Sequence, residues 1–166
     1  MFELDITSIS AIVAAAGVLV GVVYYILDIR HQARTRQTDF IVRLYSTYGS
    51  KEFHDTLVEL HSLQFNDYDD FVKTYGPWFS KEPAQTAIFM VSTYFSEIGT
   101  LLDRKIIDIN FLYDIWGSTS IKMNWEKVKP VILGLREQFH DPRVFGSFEY
   151  LYNEVKKREQ TGAKSG

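Results

Sequence analysis

The pattern of apolar and polar positions changes character once along the chain. From Ile6 to Leu27 no residue is charged, and no charged stripe marks a solvent face. Beyond Asp28 the apolar positions recur every three or four residues, the period of amphipathic helices. The first pattern predicts a transmembrane helix over 6–27. Its 22 uncharged residues would make a helix of roughly 33 Å, against a hydrocarbon core of about 30 Å. A removable signal peptide would have a basic start, a shorter apolar run and a small-residue cleavage site. Here the start holds Glu3 and Asp5, and the run closes on Tyr24-Tyr25-Ile26-Leu27. A buried core helix is the other alternative, and such helices end within about 10–14 apolar residues.

The second pattern predicts an all-α domain over 28–159. A helix continuing from the span would stop at Gly49, and Ser50 would cap a helix over 51–64. Asn66 or Asp67 would cap a short turn holding Phe71, and Gly76-Pro77 would break it. Pro83 would open a long helix to 104 with Ile88, Val91, Phe95, Ile98 and Leu102 inward. Its small and polar positions Ser92, Ser96, Gly99 and Asp103 would let a neighbouring helix approach closely. Asp108 would cap the next helix, ending near Gly117. Another is expected over 124–140, with Trp125, Val128, Ile132, Leu135 and Phe139 inward and Pro130 kinking it. A last helix follows over 143–159, and 160–166 forms a polar tail. The fold class is thus all-α: one N-terminal transmembrane helix, then a compact domain of five or six helices. No period-two alternation or fixed internal repeat competes with that reading.

Charge adds a direction. The first five residues hold no Lys or Arg, whereas Arg30, Arg34 and Arg36 follow the apolar run. By the excess of basic residues on cytoplasmic flanks, residues 1–5 lie outside and 28–159 inside, at a bacterial-type inner membrane. The arginines could also meet anionic lipid, but they are sparse and interrupted by Asp39. Residues 50–150 are net acidic, which speaks against a nucleic-acid partner.

Inside the apolar run Ser10, Ala14, Gly17 and Gly21 are spaced 4, 3 and 4 apart and share one helix face. Small side chains let membrane helices approach closely, so this face suits contact with a second copy.

Chemistry-bearing motifs are sparse. Without cysteine there is no disulfide framework, no Cys-ligated zinc and no thiol nucleophile. No phosphate-binding glycine loop or nucleophile elbow occurs. His54 and His61, with Asp55 and Glu59, share a stretch of helix. Two His four apart can grip one zinc ion. Seven apart, they sit roughly 10 Å from each other, too far without a bridging element. Asp67, Asp69 and Asp70 around Tyr68 lack the frame of a calcium loop and suit helix capping. Glu97 lies at the edge of an apolar face, with Arg104 or Arg136 as partners to consider. No residue is assigned a catalytic, cofactor-binding or metal-binding role.

Three later blocks carry a resemblance: TYFSEIGTLLDRKIIDINFLYDIWG, NWEKVKPVILGLRE and FGSFEYLYNEV. Their recurring positions include Glu97, Gly99, Asp108, Trp125, Pro130, Arg136 and Glu149. Together with the apolar N-terminal run they resemble a family of small prokaryotic single-span membrane proteins known only as a domain of unknown function. The resemblance implies a membrane-anchored helical domain and no catalytic residues. The function expected from all this is a membrane-tethered cytoplasmic interaction or regulatory module, self-associating through its anchor or holding an unidentified protein partner. The alternatives are a membrane effector and a metal-dependent hydrolase with an unrecognised site.

Overall fold

The computed structural model describes residues 6–80 and 82–162, with side chains described for 13–29, 41–80 and 82–161. Among the described residues there are seven helices and no strand. They are α1 (Ile6–Tyr48), α2 (Lys51–Ser62), α3 (Tyr68–Tyr75), α4 (Pro83–Asp103), α5 (Ile109–Ile115), α6 (Gly117–Phe139) and α7 (Gly146–Gly162). The chain divides into two compact units, Met1–Ser46 and Thr47–Gly166.

The first unit holds α1 as far as Ser46, and the last residues of that helix belong to the second unit. α1 runs unbroken to Tyr48 because no Pro or Gly falls between Gly21 and Gly49. The transmembrane helix expected over 6–27 is corrected here. Among the described residues no helix is long and apolar enough to cross a membrane. The single-pass reading is corrected with it. The side chains of Arg30, Arg34, Arg36 and Ser10 lie outside the described residues.

The second unit holds α2–α7. Three caps form as the sequence predicts. Ser50 accepts from Phe53 N at 3.1 Å, Asp67 from Asp70 N at 2.8 Å and Asp108 from Phe111 N at 2.9 Å. Each satisfies a backbone N–H that the first helical turn leaves free. α4 is the most deeply buried helix: Ile88, Val91, Phe95 and Ile98 are fully enclosed. It packs against α7, α2 and α6. Phe95 stacks on Phe148 of α7, and Trp125 of α6 meets the same ring edge-on. Such aromatic pairs add to the area they bury.

Two boundaries differ from expectation. α6 begins at Gly117, seven residues before 124, because Gly117 starts a helix and does not end one. With φ +68 it lets the chain turn directly from α5 into α6 through Trp116. α7 begins at Gly146 because Phe145 takes a left-handed φ of 50°. Pro130 lies inside α6, which continues through it, so only the helix partner of the Glu126 carbonyl is lost. Phe139, expected inward, is 40% exposed.

Candidate functional site

Two surfaces and one buried network deserve a functional reading. The first surface belongs to α1. Every described side chain from 13 to 29 is exposed, although most are Val, Leu, Ile, Ala or Tyr. Leu19 and Val20 show 67% and 69% of their surface. Ala14, Gly17 and Gly21 are exposed along one face, and a Cβ added at either glycine would meet nothing within 4 Å. A helix apolar on all sides is normally covered by something. A continuous apolar surface of this kind marks a contact face.

The buried network joins helices far apart in sequence. Asn124 of α6 is 3% exposed. Its Nδ2 donates to the Ser120 carbonyl at 2.9 Å, which turns its Oδ1 toward His61 Nε2 at 3.0 Å. His61 Nε2 therefore carries the proton in this contact. Ser120 Oγ in turn lies 2.8 Å from the Tyr48 hydroxyl. Beside it, Trp116 Nε1 donates to the Tyr94 hydroxyl at 2.8 Å. Burial drives the Tyr94 pKa well above the ordinary phenol value, so this hydroxyl stays neutral. Phe53 and Tyr48 rings pack on Tyr94, closing an aromatic cluster around these polar atoms. The arrangement orients side chains around the buried Asn124 and Tyr94, with His61 exposed at its edge.

The second surface is a groove of about 630 Å³ between α3 and α6. Asp67, Asp69, Glu126 and Glu137 surround it, with Pro130 and Leu133 in its wall. Two of its four acids are engaged in holding the fold. Asp67 caps α3, and Glu126 accepts from the Tyr152 hydroxyl. Gly134 makes room for the Tyr68 ring, whose hydroxyl donates to Gln138. Asp70 accepts from Asn66 N, which completes the capping role read for this acidic turn.

The remaining sequence candidates separate. Asp55 pairs with Lys51 at 2.6 Å, and His61 is turned to Asn124, so the His54–His61 stretch does not converge. Among the described residues no group of three His, Asp or Glu is placed to hold a metal ion. Glu97 is exposed, and Arg136 pairs instead with Glu149 at 2.7 Å. Arg136 Nε also donates to the Val144 carbonyl at 3.0 Å, tying the end of α6 to the approach to α7. Gly99 packs onto α7, Asp108 caps α5 and Trp125 fills the core. Gly99, Asp108, Trp125, Arg136 and Glu149 thus hold the fold, whereas Glu97 lies on the surface and Pro130 in the groove wall.

These positions fall within one family pattern. The family model for a domain of unknown function, DUF4760, matches residues 11–155. The chain belongs to the DUF4760 family. The matched stretch begins within α1 and ends within α7, so the DUF4760 pattern includes all of α2 to α6. It carries the uncharacterised family expected from the resemblance, without showing a membrane span or a prokaryotic source. No curated protein and no solved structure matches the chain.

Network residues such as Asn124, Ser120 and Tyr48 were not legible as a site in the sequence. They are separated by up to 76 positions and carry no motif. The only local signal was a polar Asn one residue before the buried Trp125 on an apolar face.

Proposed function

We propose that this DUF4760 protein is a helical interaction module that pairs with a second copy of itself through the Ala14, Gly17 and Gly21 face of α1. The observation that carries this reading is the unbroken exposure of the uncharged stretch 13–27. Enclosing one Val or Leu side chain is worth roughly 1.5–3 kcal/mol, so even a partial helix–helix contact along this stretch is favourable. Ala14, Gly17 and Gly21 fall within one narrow arc of the helix, and the absence of bulk there allows close axial approach. A symmetric pair uses the same patch twice, which suits a face of this composition. The second unit, net acidic overall, fits a protein partner better than a nucleic acid.

The full chain in aqueous buffer without detergent tests this by mass photometry and chemical cross-linking. Wild type is expected as a dimer, with Gly17→Leu and Gly21→Leu shifted to monomer because leucine holds the helices apart. A strictly monomeric wild type, or glycine variants that associate like it, would overturn the pairing.

A further inference from the structure

The small-residue face of α1 continues past the uncharged stretch. Ala14, Gly17 and Gly21 span an arc of about 60° round the helix. Asp28 follows Gly21 by one heptad and Ala14 by two, so it falls inside that same arc. α1 is unbroken through this position and runs on to Tyr48. The Asp28 side chain is exposed, as is every side chain from Gly21 to it. Asp28 is therefore the first charged residue on the face that begins at Ala14.

The neighbouring charges fall elsewhere by register. Position 30, an Arg, lies about 200° round the helix from Asp28, and position 34, also Arg, about 120°. His31 and Arg36 occupy positions on the two flanks of the arc. Tyr24 and Tyr25 precede Asp28 by one turn.

In a parallel symmetric pair, a residue on the seam meets the same residue of the second copy. Pairing through Ala14, Gly17 and Gly21 thus brings two Asp28 carboxylates opposite each other, while positions 30 and 34 of both copies lie outside the seam. Two like charges held together disfavour the doubly ionised state, so the pair holds a proton more tightly than the separate chains do. Association then strengthens as pH falls toward the ordinary aspartate value of about 3.9.

We propose that Asp28 makes the pairing of α1 pH-sensitive, the two copies joining more tightly once the facing carboxylates share a proton. The device rests on the α1 pairing proposed above, with the two chains parallel.

Sedimentation equilibrium of the full chain in aqueous buffer of low ionic strength, at about pH 7.5, 6 and 4.5, tests it across the range set by His and Asp. Wild type should pair about five- to tenfold more tightly at the lowest pH than at the highest, the worth of one like-charge contact near a protein surface. Asp28→Asn keeps the shape and removes the charge. It should pair about five- to tenfold more tightly than wild type at neutral pH, and lose most of the response to acid. His31→Gln should keep the wild-type response between the two lower values, because imidazole titrates near 6.5. Asp114→Asn, exposed on α5, should behave as wild type does. At neutral pH, added salt should tighten wild type more than Asp28→Asn, because it screens the repulsion. Circular dichroism checks the helical fold at each pH, and the neutral-pH comparisons decide if acid unfolds the chain. Equal pairing of wild type and Asp28→Asn throughout, or a pH response lost in His31→Gln instead, overturns the proposal and leaves the α1 pairing standing. Weaker pairing of Asp28→Asn also overturns it, because the carboxylate would then attract the second copy. No association of any variant at any pH overturns the pairing itself, and the proposal with it.

Discussion

Gly99 on α4 lies so close to Ser147 on α7 that a Cβ built on it would fall 1.9 Å from the Ser147 carbonyl oxygen. The hydroxyls of Thr100 and Ser147 meet at 3.1 Å beside this contact. Backbone against backbone cannot yield as a flexible side chain would. Gly99→Ala should therefore force α4 and α7 apart and cost about 1–3 kcal/mol or more. Urea unfolding followed by circular dichroism checks this. An unchanged midpoint would mean that the two helices are not in close contact.

A second glycine makes a sharper test because its neighbour can be removed. A Cβ at Gly134 would stand 2.1 Å from Cγ of Tyr68. Gly134→Ala alone should displace the ring, break the Tyr68–Gln138 hydrogen bond and cost about 1–3 kcal/mol. In a Tyr68→Gly background, which removes both the ring and the Cβ 2.3 Å away, the clash is gone, and the helix preference of alanine over glycine, about 1 kcal/mol, should show instead. A double-mutant cycle in urea reads the change of sign, and additive effects would contradict it.

Arg136 holds both Glu149 and the Val144 carbonyl, and its side chain is only 13% exposed. Arg136→Gln leaves a buried carbonyl and a carboxylate without their donor, a loss of about 1–3 kcal/mol. Arg136→Lys should recover little, since one ammonium cannot reproduce the guanidinium's two separate donor directions. Glu149→Gln should be milder, because Glu149 is 39% exposed and reaches water. Thermal unfolding of the three variants ranks them, and a fully rescuing lysine would refute the geometry.

Two groups shift with pH in opposite directions. Hydrogen bonding to Lys122, then to Ser118, holds the Glu159 carboxyl below its usual range. A lowered folded pKa contributes stability that is present above the unfolded value and lost as pH falls through the folded one. Lys122→Met should therefore flatten part of the acid decline in stability below about pH 4.3. Tyr152 behaves conversely. Its hydrogen bond to Glu126, then burial, push its pKa up to about 12. That contribution is complete below the ordinary phenol value and lost as pH rises from about 10 toward the folded one. Tyrosinate absorbance should place the Tyr152 transition above those of exposed tyrosines, and Glu126→Gln should lower it. A midpoint unmoved by that substitution would remove the hydrogen bond as the cause.

The parts of the fold that depend on neighbouring residues were legible in the sequence. Ser50, Asp67 and Asp108 cap helices because each side chain reaches an N–H three residues on. The Ser92–Gly99 stripe likewise reads correctly as a close-packing face, since Gly99 is where α7 comes nearest. The errors lie where a local signal has two meanings. Gly117 was read as a helix stop, yet its positive φ serves a start, and Phe145 adopts a left-handed backbone with no glycine to announce it. Uncharged length was read as a membrane span, which the described residues do not bear out. The Tyr48–Ser120–Asn124–His61 chain depends on tertiary packing, which periodicity cannot see.

The pairing of α1 is tested most directly by single-cysteine cross-linking, because the chain contains no native cysteine. Cysteine is placed in turn at Ala14, Gly17 and Gly21, and at Leu19 and Val23 on the opposite side of the helix. The account predicts disulfide-linked dimers from the first three positions and little from the last two. Equal cross-linking all round α1, or none at Ala14, Gly17 and Gly21, would contradict it.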